Sequence, residues 1–198
     1  MKHNPYKIVQ MFEEEIAEYT GSPYAVALDN CTDALFLCCT YLNVNEVTIP
    51  KKTYVSVPQA IMASGGKVLF DETEWSGLYQ LKPHPIYDSA RRFTSDMYIP
   101  NSFMCLSFHP KKILKMRKGG MILTDNEEAY KWFKKGRHEG RDEIPYTQDN
   151  IKFLGWNMYM TPPDAADGLW LMTSMEKHNN DTLEDYPDLT KNDLFKLL

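Results

Sequence analysis

The first apolar stripe of the chain has helical spacing. Ile8, Val9, Phe12 and Ile16 share one face and Glu13, Glu14, Glu15 and Glu18 fall between them, so residues 5–19 read as an amphipathic helix ended by "TGSP". The period then changes. "YAVAL", residues 24–28, is a short unbroken apolar run, the pattern of a strand buried on both faces. "TDALFLCCTYLNV" reads as a helix with Thr32 near its start, and "EVTIP" as a strand closed by Pro50. "VPQAIMASGG" reads as a helix ended by Gly65 and Gly66, and "KVLF" as a strand. Residues 71–83 are irregular and read as loop. "PIYD" is a short strand ending at Asp88, "FMCLSF" one ending near Ser107, "GGMILT" a further strand and "NEEAYKWFKKGRHE" a helix. Residues 141–157 have weak periodicity, and "PPDAADGLWLMTSMEKH" reads as a helix opened by prolines, which suit a first turn. Residues 179–198 are polar except for "LFKLL" and read as a docked helix or a tail.

Strands alternating with helices predict an α/β fold with a mainly parallel central sheet flanked by helices. Residues 1–178 are expected to form one domain and residues 179–198 its tail. Composition is compatible: 198 residues, 43% hydrophobic and 25% charged, suit a single globular domain. The net charge of −5 argues against nucleic acid, although "SFHPKKILKMRKGG" is locally basic. That run lacks the aromatic interleaving of a nucleic-acid groove. Cys31, Cys38, Cys39 and Cys105 have no framework spacing and read as free thiols of a reducing compartment. The N-terminus lacks the apolar core of a signal peptide, and no apolar run is long enough to span a membrane, so a cytoplasmic protein is expected.

In an open parallel sheet, ligands bind at the C-terminal ends of strands. Three such ends carry polar groups. "DNCTD" follows the first strand and puts Thr32 at a helix N-terminus, which favours anions, although Thr or Asp there also serves as a plain cap. Asp88 ends a second strand. Lys112 lies just past a third, and a lysine is nucleophilic only where burial or nearby cations favour its neutral form; Lys111, Lys115, Arg117 and Lys118 are the candidate neighbours. An anion site, a strand-end carboxylate and a strand-end lysine are jointly the parts that pyridoxal 5′-phosphate (PLP) requires.

The same segments resemble the DegT/DnrJ/EryC1/StrS family of PLP-dependent sugar aminotransferases. "SFHPKK", followed by Gly119-Gly120 and "MILT", is similar to the family's Schiff-base segment, which implies the Schiff base at Lys112 and a phosphate contact from Ser107. "CTDAL" resembles the phosphate segment and implies contacts at Thr32 and at Cys31, where relatives carry glycine. "PKKTY" implies that Tyr54 stacks on the pyridine ring, and "YDSA" that Asp88 pairs with the pyridine nitrogen. Arg91 stands where many relatives carry glutamine near the cofactor's O3′, and two roles are open to it: binding a substrate carboxylate or tuning the Schiff base. "GRHEGRD" and "GWNMYMTPPDAADGLWL" resemble later family segments; the second implies that Asn157 reaches the cofactor phosphate of a neighbouring subunit.

The resemblance implies the large domain of the aspartate aminotransferase fold (type I), without the smaller C-terminal domain of relatives and with a compressed stretch between Tyr54 and Asp88. It implies a homodimer that moves an amino group from a donor such as glutamate to a nucleotide-linked keto-sugar, with Lys112 carrying the proton. The alternative is a non-catalytic PLP-binding regulatory or partner protein of the same fold. A sugar dehydratase of the family would carry histidine in place of Lys112, which argues against that branch.

Overall fold

The computed structural model describes residues 4–195. In chain order the elements are α1 (Lys7–Thr20), β1 (Tyr24–Leu28), α2 (Cys31–Tyr41), β2 (Glu46–Pro50), α3 (Ser56–Ala63), β3 (Lys67–Asp71), β4 (Tyr79–Leu81), β5 (Ile86–Asp88), β6 (Phe103–Ser107), β7 (Gly120–Thr124), α4 (Glu127–Gly136) and α5 (Pro162–Met172). Each apolar run read as a strand is one.

Five strands pair in the order β1-β7-β6-β5-β4, and β2 pairs with β3. An isolated antiparallel bridge between Thr48 and Lys82 ties the smaller pair to the β4 edge. The expectation of a mainly parallel sheet needs correcting at the level of neighbours. In the larger sheet only β5 and β6 run parallel; β7 is antiparallel to both β1 and β6, and β4 is antiparallel to β5. Carried through these pairings and the Thr48 bridge, β1, β2, β3, β5 and β6 share one direction and only β4 and β7 oppose it. The reversal of β4 has a local cause. Residues 82–85 form a tight turn in which His84 N–H bonds to the Leu81 carbonyl at 3.0 Å, so the chain doubles back as a hairpin. The segment read as loop over residues 71–83 therefore holds a strand too short to show a period.

Alternation along the strands sets the layers. Val26, Leu28, Cys105, Phe103 and Ile122 face a core shared with α2, α3 and α4. Ala25, Ala27, Met104, Leu106, Met121 and Leu123 face a second core with Val9, Phe12 and Ile16 of α1 and Ala165 of α5. Both faces are covered, which is why these strands read as continuous apolar runs. Helices α1 and α5 meet at Gly168, where a Cβ would lie 2.6 Å from the Phe12 ring.

A buried ionic knot fixes this second layer. Glu13, inside α1, accepts Ala27 N–H at 2.9 Å and pairs with Arg137 and, at 2.9 Å, with Lys134. Arg137 also donates to the Ala27 carbonyl and bonds Glu143 at 2.8 Å. "GRHEGRD" thus contributes an arginine that clamps α1 and α4 to β1.

Helix α5 ends at Met172, short of the expected His178, and the hydroxyls of Thr173 and Ser174 fold back onto the carbonyls of Trp170 and Leu171. The chain beyond it docks as an extended segment with one 3-10 turn, Leu189–Lys191. Of "LFKLL", Phe195 is buried and packs edge-on against Phe70, and residues 196–198 lie outside the described residues.

Candidate active site

Because β1, β5 and β6 run the same way, their C-terminal ends fall on one edge, and the polar groups behind them meet there. Gly120 makes the approach possible: a Cβ there would lie 2.3 Å from the Asn30 carbonyl carbon, so only glycine lets β7 start against the turn that opens α2. The result is a cavity of about 320 Å³. Cys31, Thr32, Tyr54, Asp88, Arg91, Ser107 and Lys112 line it together, joined by Ser56, Trp75, Lys118, Glu184 and Tyr186.

One end carries hydroxyls. Thr32 is not the cap of α2; Asn30 is, its side chain accepting Asp33 N–H at 2.9 Å. That leaves Thr32 turned to the cavity, with its hydroxyl 2.7 Å from that of Ser56. Ser107 and Lys118 line the cavity as well, and Lys118 pairs with Asp29 at 2.7 Å. Lys118 is thus part of the cavity wall. The Cys31 thiol beside Thr32 is pushed well up by burial and by the neighbouring Asp88, so it contributes a neutral sulfur.

Asp88 stands at the end of β5. It is 4% exposed and accepts Tyr79 O–H and Ala90 N–H, each at 3.0 Å. Burial raises its pKa; the bonds from Ala90 and Tyr79 and the charges of Lys112 and Arg91 oppose the rise. The Tyr79 hydroxyl is itself 2.6 Å from that of Thr53. A carboxylate so desolvated is a ready partner for a cationic ring nitrogen.

Lys112 reaches the cavity from the turn after β6, where its N–H bonds to the His109 carbonyl at 2.8 Å. Its side chain is 13% exposed. The expected cationic neighbours are not its partner. Its Nζ lies 3.6 Å from Oε2 of Glu184, on the docked segment, while Lys115 is exposed and outside the cavity.

Arg91 is committed. Its guanidinium donates to the carbonyls of Thr182 and Glu184, each at 2.8 Å, and sits 5.2 Å from the Trp75 ring centre and 5.3 Å from that of Tyr186. Tyr54 is 56% exposed at the mouth, its ring 6.1 Å from that of Tyr186. Asn157 does not line this cavity: it is exposed and donates to Glu139, because the chain there pairs with His138.

Sequence reasoning missed Ser56, Trp75, Tyr79, Glu184 and Tyr186. Ser56 lies two residues past Tyr54 and was within reach of the motif; the others enter through tertiary packing and leave no spacing to read.

A sheet that gathers a lysine, a buried carboxylate and a hydroxyl cluster at its aligned strand ends has the architecture of the PLP-dependent aminotransferase large domain. The chain belongs to the DegT/DnrJ/EryC1/StrS aminotransferase family, which it matches over residues 2–95 and 100–191. It is 25% identical to the UDP-4-amino-4,6-dideoxy-N-acetyl-beta-L-altrosamine transaminase of Campylobacter jejuni, over 90% of this chain and 60% of that protein. Its fold is similar to that of PseC from Helicobacter pylori, an aminotransferase involved in pseudoaminic acid biosynthesis, with a TM-score of 0.74 at 17% identity over 85% of this chain and 58% of the other. It is also similar to NtdA from Bacillus subtilis, solved with bound cofactor PMP, with a TM-score of 0.68 at 21% identity over 85% of this chain and 48% of the other. The chain therefore spans about three fifths of the curated relative's length. No helix among the described residues is long and apolar enough to cross a membrane.

Proposed function

We propose that this chain binds PLP and works as an aminotransferase, moving an amino group from an amino acid such as glutamate to a nucleotide-linked keto-sugar. The observation that carries the reading is the meeting of Lys112, buried Asp88 and the Thr32–Ser56 hydroxyl pair in one cavity. The donor set fits the cofactor: Thr32, Ser56 and Ser107, with Cys31 beside them, would hold its phosphate; Asp88 would pair with its ring nitrogen; Tyr54 would cover the ring from the mouth. Bound there, PLP would supply an electron sink. Lys112 would hold the cofactor, take the proton from the donor's amine-bearing carbon and later deliver one to the acceptor's former carbonyl carbon, a task for an amine on a short turn with little solvent around it.

The particular sugar class is supported by the names of the relatives, and the homodimer by Asn157, which lies exposed and outside its own chain's cavity. A cytoplasmic setting is consistent with four cysteines that stay unpaired in the fold. The non-catalytic alternative draws on one observation, the commitment of Arg91 to the docked segment instead of to an open substrate face.

The test is an absorbance spectrum of the purified chain with PLP, before and after glutamate. A visible band that collapses on adding glutamate, and never forms in Lys112→Ala, is the expected result. A band indifferent to every amino donor would favour the binding protein, and no band at all would refute both readings.

A further inference from the structure

Nothing in the composition of residues 179–191 marks them as part of a site, yet they form a wall of the cavity. The wall is fixed along its length. Arg92 grips Asp181 with two hydrogen bonds of 2.9 and 2.7 Å. Arg91 holds two carbonyls of the segment between the rings of Trp75 and Tyr186. Lys51 pairs with Asp188 at 3.2 Å, and buried Leu189 bonds through its N–H to the Lys51 carbonyl at 2.9 Å. Toward the cavity this wall presents Glu184 and Tyr186. The Tyr186 hydroxyl donates to Glu184 Oε2 at 2.8 Å, and the same oxygen faces Lys112 at 3.6 Å.

We propose that Glu184 is a positioning residue for Lys112: the wall holds its carboxylate against the lysine amine and so fixes that amine beside the cavity. Asp88 is not a substitute, since its oxygens are engaged by Tyr79 and Ala90 and it makes no ion pair with Lys112 among the described residues. The groups facing the pair are few. Asp88 and the Cys31 thiol face Lys112, while Arg91, Lys111 and Tyr186 face Glu184. The Tyr186 hydrogen bond first, then Lys112, Arg91 and Lys111, hold the Glu184 carboxyl below its ordinary range, so it is an anion at neutral pH. A fixed anion favours the charged form of a neighbouring amine. This deepens the reading of Lys112 as the reacting amine, but its test does not depend on that reading.

The experiment uses the purified chain without added cofactor. Lys112 and Lys115 are labelled with trinitrobenzenesulfonate between pH 7 and 11 and quantified by peptide mass spectrometry; Lys115, exposed and outside the cavity, is the reference. In Glu184→Gln, Lys112 labelling at pH 8 should rise about two- to fivefold and its pH profile should move to lower pH, while Lys115 is unchanged. Glu184→Asp should restore part of the wild-type profile, and Arg91→Met, which unlatches the wall, should move it the same way as Glu184→Gln. An unaltered Lys112 profile in Glu184→Gln overturns the proposal, as does an equal shift at Lys115, which would mean general loosening. A chain that failed to bind PLP would defeat the function proposed above and leave this measurement intact.

Discussion

Asp88 concentrates the conflict between stability and binding in one carboxylate. Burial is the largest influence on it and penalises its charged form. Its pKa is raised on folding, so the folded chain holds more protons than the unfolded one from about pH 4 upward. Stability from this group is therefore present below that window and lost as pH rises through it. Asp88→Asn keeps an acceptor for Ala90 N–H and removes the charge. It should raise the melting temperature of the cofactor-free protein at pH 7.5 by about 2–6 °C and at pH 4 by much less. On the proposed pairing of Asp88 with the ring nitrogen, the same variant should weaken PLP binding by about ten- to a hundredfold, because it removes a charge-assisted bond. Calorimetry and a PLP titration read the two effects, and a fall in the cofactor-free melting temperature at pH 7.5 would contradict the account. Arg91 shows the same scale from the other side. Of the two roles open to it in the sequence, binding a substrate carboxylate calls for a free guanidinium, and the fold engages that guanidinium with two carbonyls of the docked segment.

At the level of elements, the site depends on which segments can approach. Gly77, with φ of +71° in the left-handed region that side chains disfavour, is one such point: a Cβ on it would lie 2.2 Å from Asp181 Oδ2. Gly77→Ala should therefore displace Asp181 from Arg92 and lift the start of the wall. The expected cost is about 1–2 kcal/mol in urea unfolding, with faster proteolysis confined to residues 177–190. Unaltered protease resistance would show that the segment is held without that contact. The element-level expectations failed where a single short contact decided the structure. β4 arises from a turn and a partner strand, not from its own pattern. The N-cap of α2 falls to Asn30 instead of Thr32, two residues earlier, because the Asn30 side chain accepts Asp33 N–H.

For the molecule as a whole, the buried knot of Glu13, Arg137, Lys134 and Glu143 is the long-range tie between α1, α4 and β1. Removing one partner leaves an uncompensated buried charge, so Arg137→Met or Glu13→Gln should each lower stability by about 3–5 kcal/mol. Arg137→Met combined with Glu13→Leu should recover much of the loss, and a double variant as unstable as the sum of the singles would show that the charges act independently. Sequence alone determined the strand and helix segments with a strong period, the α/β class, and the candidates Thr32, Asp88, Ser107 and Lys112, because apolar periodicity and strand-end chemistry are local properties of the chain. The tertiary structure alone decided the direction of β4 and β7, the commitment of Arg91, and the wall that brings Glu184 to Lys112. The contacts of Arg91 and Glu184 join residues about seventy to ninety positions apart, and their energy comes from packing and paired charge in three dimensions, which no spacing along the chain records.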